Sequence, residues 1–254
     1  MKKTGLIVCL MLLHIPTLHA QEIFQDTNDQ YGLKDKNGNI IVAGKYDYAN
    51  DFSEGLAVVR LNGKYGYIDP TGKEVIPLEY DGADKFVEGL AGVAIIYAGE
   101  ERRTYGYIDK TGKIVIPMKY SSTEYFSEGL AAVRLDGKWG FVNKTGEEII
   151  PPQYKYVRYF YEGFAAVQLN DKFGIIDKNG NIIIPLIYDK VWDFKGEFAA
   201  VKRNDKWGYV DKTGKEVIPI QYDEVWDFGD GFGRVKLNGE WIVIDKTGKK
   251  VMNY

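Results

Sequence analysis

An aromatic–glycine pair recurs along this chain at Tyr31-Gly32, Tyr65-Gly66, Tyr105-Gly106, Trp139-Gly140, Phe173-Gly174 and Trp207-Gly208, and Trp241-Ile242 keeps the aromatic without the glycine. The step is 34 residues throughout except for the second, which is 40. A fixed period of this size means one supersecondary unit used repeatedly, each copy too small to bury an apolar face alone and stable only against its neighbours. The period therefore constrains the architecture strongly and the activity hardly at all.

Within one copy the elements are short. Leu56-Ala57-Val58-Val59-Arg60-Leu61 is apolar and β-branched and reads as a strand. Asn62-Gly63 follows, the pair best suited to a two-residue hairpin because both positions must accept positive φ. Asp136-Gly137 and Asn238-Gly239 repeat it, with Asn170-Asp171 and Asn204-Asp205 as weaker versions. Tyr65-Gly66-Tyr67-Ile68 is the return strand, Asp69-Pro70-Thr71-Gly72 a second hairpin, and Lys73-Glu74-Val75-Ile76 a third strand that Pro77 is expected to end. A loop of about a dozen residues leads on.

Because the copies align, columns can be compared within the one chain. Tyr46, Tyr80, Tyr120, Tyr154, Tyr188 and Tyr222 form one, and Phe52, Phe86, Phe126, Phe160, Phe194 and Phe228 another. Large aromatics at fixed places in connections are expected to plug the space between successive units. Ala57, Ala91, Ala131, Ala165, Ala199 and Gly233 form a small-residue column, which with the pair glycines points to close backbone approach. At the ends, Ala43 stands where later copies have Pro, and Ile242 replaces the glycine. Terminal copies that differ suit an open stack with caps. The expected fold is all-β: seven three-stranded meanders in an open β-solenoid or superhelix, with a closed seven-bladed propeller-like ring as the alternative.

The run Lys138-Trp139-Gly140-Phe141-Val142-Asn143-Lys144-Thr145-Gly146, followed in frame by copies of Phe126-Ser127-Glu128-Gly129-Leu130-Ala131-Ala132-Val133, resembles the WG (KWG) repeat of bacterial proteins. Phe173, several Tyr in place of Trp, the reversed Gly196-Glu197 and the insertion near residues 98–103 depart from it. The resemblance implies a β-rich interaction module, often exported, with no general catalytic activity and no agreed ligand.

The first twenty residues read as a secretory signal peptide: Lys2 and Lys3, then the short apolar run from Leu6 to Leu13, Pro16, and Ala20 before Gln21. The domain is then 21–254, exported to the periplasm, the outer surface or the medium. Cys9, His14 and His19 all fall within the leader, so the remaining chain offers no thiolate, imidazole or Cys/His zinc site. It carries 31 basic against 36 acidic residues and no basic tract, which makes nucleic acid an unexpected partner. No later segment is apolar over a membrane-spanning length.

No catalytic, cofactor or metal residue stands out. Glu54, Glu88, Glu128, Glu162 and Asp230 are a ladder of acids, whereas a glycosidase needs one unique pair; capping of the loop before each glycine explains them, and a glycoside hydrolase is a remote alternative. Asp35-Lys36-Asn37-Gly38-Asn39 hints at calcium, but its glycine comes too early for an EF-hand and a turn explains it fully. Asn143-Lys144-Thr145 has the form of a glycosylation acceptor and is likewise a turn.

The columns that vary are more informative. Nineteen residues after the pair aromatic stand Asn50, Asp84, Glu124, Arg158, Trp192 and Trp226, a mixture that implies exposure. Tyr125, Tyr156, Tyr159 and Tyr161 lie in neighbouring variable columns, and Asp193 and Asp227 follow the tryptophans. These eight aromatic and acidic residues are the expected binding face, either for a protein partner or for a glycan stacked on Trp192 and Trp226; the competing reading is that the tryptophans fold back as lids over their own loops.

Overall fold

The computed structural model describes residues 21–229 and 231–254, so the expected leader and Asp230 lie outside it. Seven antiparallel sheets follow one another, built from the contiguous stretches 22–46, 48–80, 82–120, 122–154, 156–188, 190–222 and 224–253, and called sheets one to seven below. Sheet two shows the design, with strands Tyr48–Ala49, Ala57–Leu61, Lys64–Ile68 and Glu74–Tyr80 in that order across the sheet. Asn62 and Gly63 take φ of 52° and 78°, both left-handed as the two-residue hairpin requires. In the second turn the Asp69 carboxylate accepts from the Thr71 amide at 2.9 Å, the Thr71 hydroxyl at 2.6 Å and the Lys73 amide at 3.1 Å. Asp35 does the same with Asn37 and Asn39, which satisfies the carboxylate that suggested calcium. Asn143 accepts from Thr145 and Glu147 amides and donates to the Glu147 carboxylate, again a turn.

The structure departs from the three-stranded expectation in two ways. A fourth strand of two residues opens every sheet after the first, one residue beyond the last strand of the sheet before: Tyr46 ends one and Tyr48 begins the next. It forms because the chain leaves each sheet still extended and its free amides find the neighbouring carbonyls, as when the Asp84 amide donates to Gly92. The third strand also does not stop at its proline. It runs on to Tyr80, which pairs with Tyr65, while Tyr67 pairs with Ile76, so Pro77 sits in a bulge where no ladder amide is needed.

The core lies between sheets rather than within them. Leu56, Val58, Tyr67 and Ile76 of sheet two close on Phe86, Ala91, Val93 and Ile108 of sheet three, and the same arrangement recurs along the array. The tyrosine column is buried throughout, as is the phenylalanine column from Phe86 to Phe228, each burial contributing about 2–3 kcal/mol of hydrophobic free energy. Polar ties reinforce the contact. The Tyr67 hydroxyl donates to the Asp84 carbonyl at 2.7 Å, and the Ser53 hydroxyl to the Phe86 carbonyl at 2.6 Å. Glu54 takes φ 52°, and its carboxylate reaches across to the Gly89 amide (3.0 Å) and the Lys110 ammonium (3.1 Å) of the next sheet. Glu88, with Gly129 and Lys144, repeats this clamp. Glu54, Glu88, Glu128 and Glu162 therefore join sheets instead of capping their own loops.

Both ends of the array are uncovered and charged. Leu90 is 8% exposed because a following sheet covers it, whereas Phe232 in the same column of sheet seven is 48% exposed. Arg234 occupies the position held by Ala132, Ala166 and Ala200, lies 4.4 Å over the Tyr254 ring, and donates to the Tyr254 hydroxyl at 2.9 Å. On sheet one, Glu22 and Lys34 stand where sheet two has Ala57 and Ile68, and they form an ion pair of 3.3 Å. Among the described residues no strand is shared between the two ends.

Candidate recognition groove

Each short opening strand presents the variable columns along one rim of its sheet. The backbone there is fixed before any side chain is considered: the amides of Arg158, Trp192 and Trp226 donate to Ala166, Ala200 and Arg234 at 2.9 Å. The Trp226 carbonyl is held as well, by the Tyr209 hydroxyl of sheet six at 2.5 Å. Each ring also leans on the pair aromatic of its own sheet, Tyr156 on Phe173 at 6.1 Å between centroids, Trp192 on Trp207 at 5.1 Å and Trp226 on Trp241 at 6.1 Å. Aromatics on a backbone this constrained lose little freedom on binding, which suits them to recognition.

Four shallow clefts connect these residues. Tyr125, Tyr156, Arg158 and Tyr159 line the first, of about 370 Å³, where sheet four meets sheet five. Tyr156 and Arg158 also line the second, of about 280 Å³, which reaches Trp192. Trp192, Trp226 and Asp227 line the third, of about 370 Å³. Trp226 and Asp227 continue into the fourth, of about 510 Å³, with Arg234, Met252 and Tyr254 on the free face of sheet seven. The shared residues make a single groove over sheets four to seven.

Seven of the eight residues expected to form the binding face lie in or beside this groove. Trp226 is 54% exposed and Tyr159 57%, and Tyr125 and Tyr156 are exposed as well. Trp192 is not freely exposed. It is half-buried against the core between sheets six and seven, so it partly fulfils the lid reading while its remaining surface lines the groove. Asp193 makes an ion pair with Arg158 at 3.1 Å; burial pushes its carboxyl above the usual range, opposed by Arg158. Tyr161 stands apart, at the tip of the Tyr161–Phe164 bridge, with the Lys195 ammonium 5.7 Å from its ring. Arg234 and Tyr254 belong to the groove but were not in the expected set. Arg234 was legible as the single cation in a column of small residues, while Tyr254 follows the last copy and no column identifies it.

Toward sheets three and four the same rim turns acidic, at Asp84 and Glu124. Asp84, largely buried where Gly92 leaves it room, has its carboxyl pushed up to about 6, first by burial and then by the charge of Glu124. The native state thus takes up a proton that the unfolded chain releases near 3.8, so this group's contribution to stability falls as pH rises from about 4 to 6 and is constant above. Asp84→Asn is expected to remove that slope and to stabilise the fold at pH 7 by at most about 3 kcal/mol. Urea denaturation of both proteins at pH 4 and pH 7 checks this; an unchanged difference between them at the two pH values would contradict it. Among the described residues no cluster of acids, cysteines and histidines is arranged to hold a metal ion, and no helix is long and apolar enough to cross a membrane.

The WG containing repeat model matches this sequence six times, at residues 31–65, 65–95, 105–139, 139–173, 173–207 and 207–241. The chain belongs to the WG containing repeat family. The family matches start at the pair aromatics, so each spans the return strand of one sheet and the rim of the next. No functionally curated protein matches the WG-repeat chain in sequence. In structure it is similar to a eukaryotic initiation factor, at 12% identity and a TM-score of 0.52, over 93% of this chain and 73% of that one. Kluyveromyces lactis Hsv2 aligns over 90% of this chain and 87% of its own at 9% identity and a TM-score of 0.42. These structural neighbours are seven-bladed β-propellers, and the first likeness supports the seven-sheet architecture alone.

Proposed function

We propose that this WG-repeat protein is a non-catalytic interaction module, exported to the bacterial envelope, that holds an elongated partner in the groove over sheets four to seven. The observation that carries the reading is the run of clefts sharing Tyr156, Arg158, Trp192 and Trp226, in which Tyr156 and Trp226 are exposed on a constrained backbone and half-buried Trp192 joins them. A protein segment or a glycan is the kind of occupant that a hot-spot surface of this sort suggests. Retention of the purified protein on isolated envelopes is expected to fall at least about tenfold in the Trp192→Ala/Trp226→Ala double variant. Tyr161→Ala, outside the groove, is expected to bind like wild type. Unchanged retention in the double variant, or a thermal midpoint that collapses with it, would overturn the reading in favour of two lids.

The array is also read as open, supported by the exposure of Phe232 and the charges at Glu22, Lys34 and Arg234. A small-angle scattering profile is expected to fit a gapped or extended stack; a profile matching only a closed ring of seven sheets would refute this.

A further inference from the structure

We infer that the occupant of the groove is a neutral, extended β-1,4-linked glycan; this rests on the groove reading above and adds the chemistry of the ligand. The clefts form a track across four sheets rather than one enclosed pocket, which suits a polymer that repeats its contacts. A peptide most often gains affinity in such a place by adding a strand to a sheet edge. Here each edge is only two residues long, as at Lys190–Val191 and Glu224–Val225, and successive edges belong to separate sheets, so no continuous ladder is offered. What the rim offers instead is at least one aromatic ring on each of sheets four to seven: Tyr125, Tyr156 with Tyr159, Trp192, and Trp226 with Tyr254. The hydroxyls of a β-1,4-linked hexose lie around the edge of its ring and leave flat C–H faces that stack on such side chains.

The polar groups agree. Arg158, Lys190 and Arg234 line the clefts together with Glu124, Asp189 and Asp227, and Asp193 pairs with Arg158 beside them, so charges of both signs are interspersed and the groove favours neither a polyanion nor a polycation. Among the described residues the exposed Asp227 carboxylate forms no ion pair or hydrogen bond, which leaves its oxygens free to accept from a ligand. Paired sugar hydroxyls supply two donors to its two oxygens, whereas a proline-rich segment, the other ligand of aromatic grooves, has fewer donors because each proline lacks its N–H.

Calorimetry and tryptophan fluorescence with cello- and chito-oligosaccharides of two to six sugars test the assignment on the wild-type chain. Affinity is expected to rise at least about tenfold from the disaccharide to the hexasaccharide, as successive clefts are engaged. It should fall about tenfold in Trp226→Ala and stay unchanged in Tyr161→Ala and at raised salt. Failure of both hexasaccharides to bind at millimolar concentration overturns the glycan assignment. So does envelope retention that protease treatment of the envelopes abolishes; in that case the groove stands with a protein occupant. Retention that ignores Trp226 and Trp192 removes the groove itself.

Discussion

Gly66→Ala is expected to destabilise the protein by about 3 kcal/mol, far more than a surface methyl group should. A Cβ at this position would lie 2.6 Å from the Ile76 carbonyl oxygen and 2.7 Å from that of Pro77, both backbone atoms of the bulged third strand in the same sheet. Relief requires that strand to move, and Ile76 is wholly buried against sheet three, so the disturbance reaches the interface between sheets. The hairpin glycine next to it makes the control. Gly63 has φ 78° with nothing within 4 Å of the built Cβ, so Gly63→Ala is expected to cost only about 1 kcal/mol from the left-handed backbone. Urea midpoints of the two variants give the comparison, and equal costs would show that close approach is not what the pair glycine supplies. Sheet seven already contains the natural counterpart. There Ile242 pairs with Asn253 and Val243 with Met252, without the two-residue slip seen in sheet two, and the isoleucine fits. The pair glycine and the two-residue slip therefore go together, while the one-residue shift further along the strand is kept in both sheets.

Removing the charges from both ends is the second change with a large expected effect. In Glu22→Ala/Lys34→Ile/Arg234→Ala, sheet one regains the Ala57 and Ile68 pattern and sheet seven the Ala132 pattern that inner sheets bury against each other. The free face would then present Phe232, Val243 and Met252 without Arg234 among them. Such a face matches the other end of a second copy head to tail, an arrangement that does not close and can extend. Sedimentation velocity of the triple variant is expected to show species growing with concentration beyond those of wild type. A wild-type distribution in the variant would mean that the end charges are not what limits stacking. At wild type, closing such a contact would bury Arg234 and the Glu22–Lys34 pair, which costs several kcal/mol per unmatched charge.

Much of this was legible in the residues because the chain carries seven versions of the same experiment. The columns Tyr46 to Tyr222 and Phe86 to Phe228 are buried between sheets as aromatics in connections should be, and the Asn62-Gly63 and Asp69-Gly72 turns take the backbone their residues favour. The misreadings have a common cause. The fourth strand, the passage of the third strand through Pro77, and the reach of Glu54 to Gly89 all depend on which backbone the fold brings near, within one sheet for the first two and in the next sheet for Glu54. Spacing along the chain does not report that. The same holds for the rim: the sequence marked Trp192 and Trp226 as unneeded for packing, but only contact with Trp207 shows that one is half-lid and the other open.

The sequence alone determined the number of units, their β character, their turns and which columns form the framework, since those follow from local backbone preference and from apolar residues recurring in step. The tertiary structure decided how the units meet. It set Tyr125, Tyr156, Trp192 and Trp226 along one groove, left Tyr161 outside it, and turned a ladder of acids into clamps between sheets. Side chains from different copies come together only when each sheet buries its face on the next, and the geometry of that burial is written in packing, not in any one repeat.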